Sequence, residues 1–452
     1  ESGYDLHLAL DHQVQALAES LFVGKRGAAV ALDPDTGEII SFVSQPDFDP
    51  AVFSRSVSGA AWDSIRNAPS DPLYNRATMS GFPPGSTWKP FMSLVALEEG
   101  IIGPNELVDC PPGYKVGRRT FKNHGYKDEG LITVKKALEV SCNTFYYHLM
   151  MQMDLKTWHD WAKAFGFGQK VPFQATNQLP GLIPDSSYFD KAYGRWTAGY
   201  TVNLGIGQGD MSVTPMQLAR YTAAVANGGT LHAPHFVTKM VHPETGRTVR
   251  PEVPPAEEIP IKDDHFATVR EGMRRVMEDG TGEWVQIPGI SSGGKTGTAQ
   301  NPHGKDHSLF IMFAPFDDPE IAIAVAVENA GYGATAAAPI ASLMAEQYLT
   351  GTIDTTEWAR RHWIKRLMEE VRSAPPKGFG GAPDGSPSDS TTSPTPPSTE
   401  PPGTSEPALR TDAAPGAAPD TTAPPTRSIR LQPAEPVNAS GEADPPDGED
   451  GN

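Results

Sequence analysis

The chain has 452 residues and a formal net charge of −18. That acidity, without a basic stripe interleaved with aromatics, argues against a nucleic-acid binder. The longest apolar run, near Ile321–Val327, is too short to span a bilayer, and two cysteines, Cys110 and Cys142, permit one bridge but no disulfide-dense scaffold.

No signal peptide is visible, and the chain opens at Glu1. Asp5–Leu21 has the pattern of an amphipathic helix, so residues 1–22 read as a linker helix into a body spanning 23–373. Gly27–Leu32 and Glu38–Val43 are apolar runs joined by Asp33-Pro34-Asp35-Thr36-Gly37, a hairpin signal. Ser86–Glu99 reads as a buried helix ended by Gly100. Thr133–Glu139, Thr144–Met153 and Trp158–Phe165 read as further helices. Thr214–Asn227 is another, with Thr214 at its cap and Pro215 at its first position.

The pattern then turns strand-like. Gly294–Ala299, Leu309–Ala314 and Ile321–Val327 look like three antiparallel neighbours, followed by helices at Ala336–Tyr348 and Glu357–Val371. Early strands, a helical middle and late strands predict an α+β body in which the first hairpin completes the late sheet. Residues 374–452 read as a disordered tail. From 380 onward there is no aromatic residue and no Lys, and twelve Asp/Glu stand against three Arg, so half the net negative charge lies there.

Three short words carry the chemistry. Ser86-Thr87-Trp88-Lys89 is S-x-x-K, Ser141-Cys142-Asn143 is S-x-N, and Lys295-Thr296-Gly297 is K-T-G. Each is weak alone; Ser292-Gly293-Gly294-Lys295 also matches the first, but in a glycine-rich strand entry. In order, the three are the set of an acyl-serine site. On a helix, Ser86 and Lys89 share one face. A neutral Lys89 amine could take the Ser86 proton if burial and a second cation, Lys295, depress its pKa. The Ser141 hydroxyl would relay a proton, while Asn143 would hold substrate backbone and Lys89. Thr296 and Thr298 could bind a carboxylate, and Gly297 would let substrate backbone approach an edge strand. The N–H groups of Ser86 and Thr298 would form an oxyanion hole.

With these words, the chain resembles the transpeptidase domain of class B penicillin-binding proteins over about residues 5–350. Gly24-Lys25-Arg26-Gly27, Phe82-Pro83-Pro84-Gly85-Ser86, Gly205-Ile206-Gly207-Gln208-Gly209 and Gly331-Tyr332-Gly333 also carry the resemblance. Within the class it is most similar to the rod-elongation members. The resemblance implies a penicillin-binding-protein and serine β-lactamase-like fold: a five-stranded antiparallel sheet flanked by helices, plus an all-helical subdomain. It implies peptidoglycan D,D-transpeptidation with no required cofactor. Donor stem peptides ending in D-Ala-D-Ala, amine acceptors and β-lactams would be ligands, and a membrane glycosyltransferase and the elongation complex partners. It also implies an inner-membrane anchor and a periplasmic catalytic domain, with the anchor outside this chain. A D,D-carboxypeptidase or β-lactamase, and a non-catalytic penicillin-binding sensor or scaffold, are the alternatives. Residues 142–243 contain no Glu, which removes the simplest deacylation base of class A β-lactamases; Asp154, Asp160, Asp185, Asp190 or Asp210 could substitute.

Some relatives hold zinc near the S-x-N segment. Here Cys110, His124, Asp128 and Cys142 would suit Zn²⁺, although Asn123 stands where such relatives often have Cys or Asp, and Glu129 aligns near the expected His. A Cys110–Cys142 disulfide and free thiols are the other readings.

Overall fold

A computed structural model describes residues 3–373 apart from Arg55, Ala175, Thr176 and His303. The tail expected to be disordered lies outside the described residues. The body is built on one five-stranded sheet. Its strands are β1 (Gly27–Leu32), β2 (Ile39–Gln45), β3 (Gly293–Ala299), β4 (His307–Ala314) and β5 (Ile321–Val327). The spatial order is β3-β4-β5-β1-β2, with every pairing antiparallel. The first hairpin thus completes the late sheet, as its sequence pattern predicts, and β3 is left at an edge.

Helices cover both faces, which explains why β1 and β5 are apolar at consecutive rather than alternate positions: every residue of both is buried. One face packs against α1 (His12–Leu21), α6 (Gly333–Thr350) and the helix Trp358–Ser373. The other packs against α4 (Pro215–Ala226) and, through it, the helical middle containing α2 (Lys89–Glu98) and α3 (Asn143–Gln152). The helix α5 (Asp263–Glu278) lies against β3.

Two expectations change. The helix predicted over Asp5–Leu21 begins only at His12. Asp11 has extended backbone, and its carboxylate accepts the Gln13 and Val14 N–H groups, capping α1. Asp5–Leu8 instead pairs as a strand with Val237–Val241. The helical middle also holds short hairpin-like pairs that the sequence pattern does not reveal: Val108–Cys110 with Gly130–Ile132, and Gly113–Val116 with Arg119–Lys122. Three or four residues are too few for periodicity to register.

The helix α4 is buried at all its positions, so its end groups must be satisfied internally. Thr214 and Gln217 do this reciprocally: the Gln217 N–H donates to Thr214 Oγ1 (3.2 Å) and the Thr214 N–H to Gln217 Oε1 (2.9 Å). Replacing Thr214 with Ala should cost about 1–2 kcal/mol of stability. Urea unfolding should show the loss as a lower midpoint with an unchanged slope.

Candidate active site

The nucleophile candidate sits in a turn rather than in the α-helix itself. Gly85–Trp88 is a 3₁₀ turn, and Lys89 opens α2. A 3₁₀ turn has three residues per turn, so Ser86 and Lys89 still stand in line. The turn is pinned to two neighbours. The Gly85 N–H donates to the Gly207 carbonyl (2.7 Å), and Thr87 Oγ1 donates to the Pro84 carbonyl (2.7 Å). Gly85 has φ 55°, and a Cβ there would lie 2.4 Å from the Thr298 carbonyl oxygen, so glycine is required.

Two lysines from distant segments meet at Ser141. Both are fully buried. Lys89 Nζ lies 2.7 Å from the Ser141 carbonyl, 2.7 Å from Asn143 Oδ1 and 3.1 Å from Ser141 Oγ. Lys295 Nζ donates to the same Ser141 Oγ at 2.9 Å. Ser141 holds a left-handed backbone, φ 56°, unusual for a side-chain-bearing residue. Burial, and then the Lys295 charge, push the Lys89 amine well below its ordinary value. Burial pushes Lys295 down to about 7. Lys89 also stands 5.3 Å over the Tyr146 ring, whose hydroxyl bonds Ser93.

The third word lies on edge strand β3. The Thr296 hydroxyl bonds Thr281 (2.7 Å), and Thr298 Oγ1 accepts the Gly333 N–H (3.3 Å). Gln208 donates to the Thr298 carbonyl (2.8 Å). Gly297 has a local packing reason beside the expected one. A Cβ there would meet Thr87 Cγ2 at 2.6 Å and the Pro84 carbonyl at 3.1 Å. The space it leaves admits the turn bearing Ser86, so the glycine brings S-x-x-K and K-T-G together. Gly333 serves likewise, since its Cβ would sit 2.0 Å from the Gly297 carbonyl.

A cleft of about 520 Å³ opens over this arrangement. Ser86, Ser141, Asn143, Thr296, Gly297 and Thr298 all line it, with Lys89 and Lys295 joined to Ser141 from the protein side. Gln208, Thr281, Gln300, Asp306 and Tyr332 also line it. The three words do not single these out. Gln208 and Tyr332 fall within the glycine-rich segments that carry the resemblance, whereas nothing local marks Thr281, Gln300 or Asp306.

Comparison with known proteins fits this geometry. The penicillin binding protein transpeptidase domain matches residues 27–346. The chain belongs to the penicillin-binding-protein transpeptidase family. It is 37% identical over 356 residues to the peptidoglycan D,D-transpeptidase MrdA of Acinetobacter baumannii, covering 74% of this chain and 52% of that protein. Against MrdA of Escherichia coli the identity is 32% over 360 residues, 74% of this chain and 56% of the relative. The chain thus spans about half the length of the curated relatives it matches. Crystalline Pseudomonas aeruginosa PBP2, in complex with WCK 5153, superposes with a TM-score of 0.71 at 34% identity, covering 78% of this chain and 81% of that one.

The zinc set considered for this family member does not assemble. Cys110 and Cys142 are joined to each other as a disulfide. Their sulfurs therefore cannot serve as the two thiolates the set requires. The Asp128 carboxylate accepts the Gly130 N–H, and among the described residues no group of three His, Cys, Asp or Glu stands ready for a metal. His124 lines the cleft instead, near Tyr332. Its pKa is lowered by burial and by the neighbouring Lys89, Lys295 and Lys127.

Burying two ammonium groups side by side costs stability. The unfolded chain keeps the Lys295 proton up to the free-lysine range, whereas the folded one releases it near 7. Stability therefore rises with pH between those values. Lys295→Met should remove this penalty, so its melting temperature should equal or exceed that of the parent protein at neutral pH. The advantage should shrink toward pH ~10, where a free lysine also loses its proton. Thermal unfolding across that range checks the sign.

Proposed function

We propose that this chain is the catalytic part of a peptidoglycan D,D-transpeptidase. The observation that carries the reading is the convergence of Lys89 and Lys295 on the Ser141 hydroxyl, beneath a cleft lined by Ser86. With Lys89 neutral, its two N–H groups serve the Ser141 carbonyl and Asn143 Oδ1, and its lone pair is left to accept a proton. Lys295, charged, sustains that state. Ser86 Oγ attacks the D-Ala-D-Ala carbonyl of a donor stem and gives its proton to Lys89. The tetrahedral oxyanion meets the N–H groups of Ser86 and Thr298; edge strand β3 leaves alternate N–H groups unpaired, and Thr298 N adjoins the Gly85 turn. Ser141 passes the proton to the departing D-Ala nitrogen, leaving an acyl-Ser86. A neighbouring stem's amine then takes the acyl group, and its proton returns through the same groups. Thr296, Gly297 and Thr298 hold donor backbone and carboxylate. No step requires a cofactor.

Transfer is favoured over hydrolysis by where the five candidate aspartates are engaged. Asp154 and Asp185 cap helices, and Asp160 pairs with Lys156. Asp190 accepts the Trp196 N–H, and Asp210 accepts the Tyr193 hydroxyl. None of these five lines the cleft, and the aspartate that does, Asp306, has its carboxylate engaged by the Asn301 N–H. The acyl-enzyme should therefore outlast water and wait for an amine.

The rod-elongation role rests on the MrdA relatives and on a Helicobacter pylori PBP2, solved in complex with MreC, that matches at a TM-score of 0.68 and 27% identity. A membrane glycosyltransferase is the expected partner, in keeping with another match, at TM-score 0.69 and 31% identity, solved as a peptidoglycan synthase complex that coordinates polymerisation and crosslinking. A disulfide beside the site suits the oxidising periplasm. Among the described residues no helix is long and apolar enough to cross a membrane.

A fluorescent penicillin should label the protein once per chain. Peptide mass mapping should place the adduct on Ser86, and Ser86→Ala should abolish it; labelling that persists in that variant overturns the reading. The acylation rate should also be bell-shaped in pH. The acid limb belongs to Lys89 and lies well below the free-lysine range; the rate then falls as Lys295 loses its proton near 7. Stopped-flow acylation across pH checks both limbs.

A further inference from the structure

The S-x-N segment is held from behind by a device that no motif names. Cys142 stands between Ser141 and Asn143, and its sulfur is bonded to Cys110, 32 residues earlier on the strand Val108–Cys110. Both cysteines are buried. Cys142 Sγ also accepts the Phe145 N–H (3.2 Å), capping α3. Thr144 Oγ1 donates to the Pro111 carbonyl (2.9 Å), tying the helix start to the same strand end. Asn123 closes the arrangement. Its Nδ2 reaches Cys110 Sγ (3.3 Å) and the Lys127 carbonyl (2.9 Å), and its Oδ1 accepts the N–H groups of Asn143 (2.8 Å) and His124 (2.9 Å). Asn123 is itself fixed, its N–H donating to the Pro112 carbonyl (2.9 Å).

The direction of these bonds matters. Ser141 lies in the left-handed region, which a serine leaves unless its neighbours hold it. The Ser141 N–H donates to the Leu138 carbonyl (3.2 Å), and on its C-terminal side the holding groups are the Cys142 N–H on the Ala137 carbonyl (3.0 Å), the disulfide at Cys142 and the Asn123 side-chain oxygen on the Asn143 N–H. The Asn143 side chain and the Ser141 hydroxyl then face the lysine amines. A shift of this segment moves the relay hydroxyl and the amide together, and reaction rates fall steeply with displacements of about 1 Å.

We propose that the Cys110–Cys142 disulfide and Asn123 form a positioning clamp that sets Ser141 and Asn143 in the cleft. The proposal rests on the reading of Ser141 and Asn143 as working parts of a penicillin-reactive site. Cys110, Cys142 and Asn123 are positioning residues; none donates to or accepts from substrate in the mechanism above.

The test uses protein purified without reductant. Thiol alkylation before and after reduction should find no free thiol and then two, and elemental analysis should find no bound zinc. In Cys110→Ser, which leaves the S-x-N word intact, acylation by fluorescent penicillin should slow about tenfold or more at a temperature well below melting. Amide hydrogen exchange over 141–145 should quicken. A dithiol reductant, which delivers two electrons and two protons to the bridge, should do the same to the parent protein. Asn123→Ala should slow acylation, and Asn123→Asp, which keeps the oxygen facing the Asn143 N–H, should recover part of the rate. Two free thiols in the native protein, stoichiometric zinc, or parent-like acylation and exchange in Cys110→Ser with only a lower melting temperature would each overturn the clamp. Should the parent protein itself fail to react with penicillin, the functional reading falls, while thiol count and exchange still decide the clamp.

Discussion

Everything in this molecule that is chemically unusual follows from placing two lysine amines on one serine hydroxyl inside the protein. Lys89 and Lys295 are fully buried, and among the described residues no carboxylate is within hydrogen-bond reach of either. Such a pair cannot remain doubly charged at little cost. Burial, and then the second cation it faces, push the Lys89 amine well below its ordinary value. Burial thus favours the neutral amine at Lys89, the state the proposed mechanism uses.

The fold exists, in this light, to bring three chain segments to one point. Edge strand β3 carries Lys295, the turn before α2 carries Ser86 and Lys89, and the start of α3 carries Ser141 and Asn143. Their approach is limited by side-chain bulk at the crossings, and there the chain uses glycine. Gly85 faces Thr298, Gly297 faces Thr87 and Pro84, and Gly333 faces Gly297. A methyl group at any of these would push apart backbones that must touch for the amines and hydroxyls to meet.

Much of this was legible in the sequence, for identifiable reasons. The strands β1 and β5 are long apolar runs, and the S-x-x-K, S-x-N and K-T-G words stand where their chemistry needs a helix start, a helix junction and a strand. What was not legible depended on distant neighbours. Gly297 reads as room for substrate backbone, but not as the contact point for a turn two hundred residues away in the chain, which an added Cβ would meet. Asp11 caps a helix seven residues later than the apolar pattern starts, because the preceding residues find a strand partner at Val237–Val241. The ligand-like set Cys110, His124, Asp128 and Cys142 is equally good on paper as a zinc site or a disulfide. The fold separates its members: the sulfurs pair, and His124 turns to the cleft.

The measurement that bears most directly on the paired-amine account is an NMR titration of protein labelled at lysine ¹³Cε. The account predicts that the Lys89 signal titrates well below the free-lysine range, and that Lys295→Met moves it upward by removing the neighbouring charge. A Lys89 signal that titrates with the surface lysines, and that ignores the loss of Lys295, would contradict it.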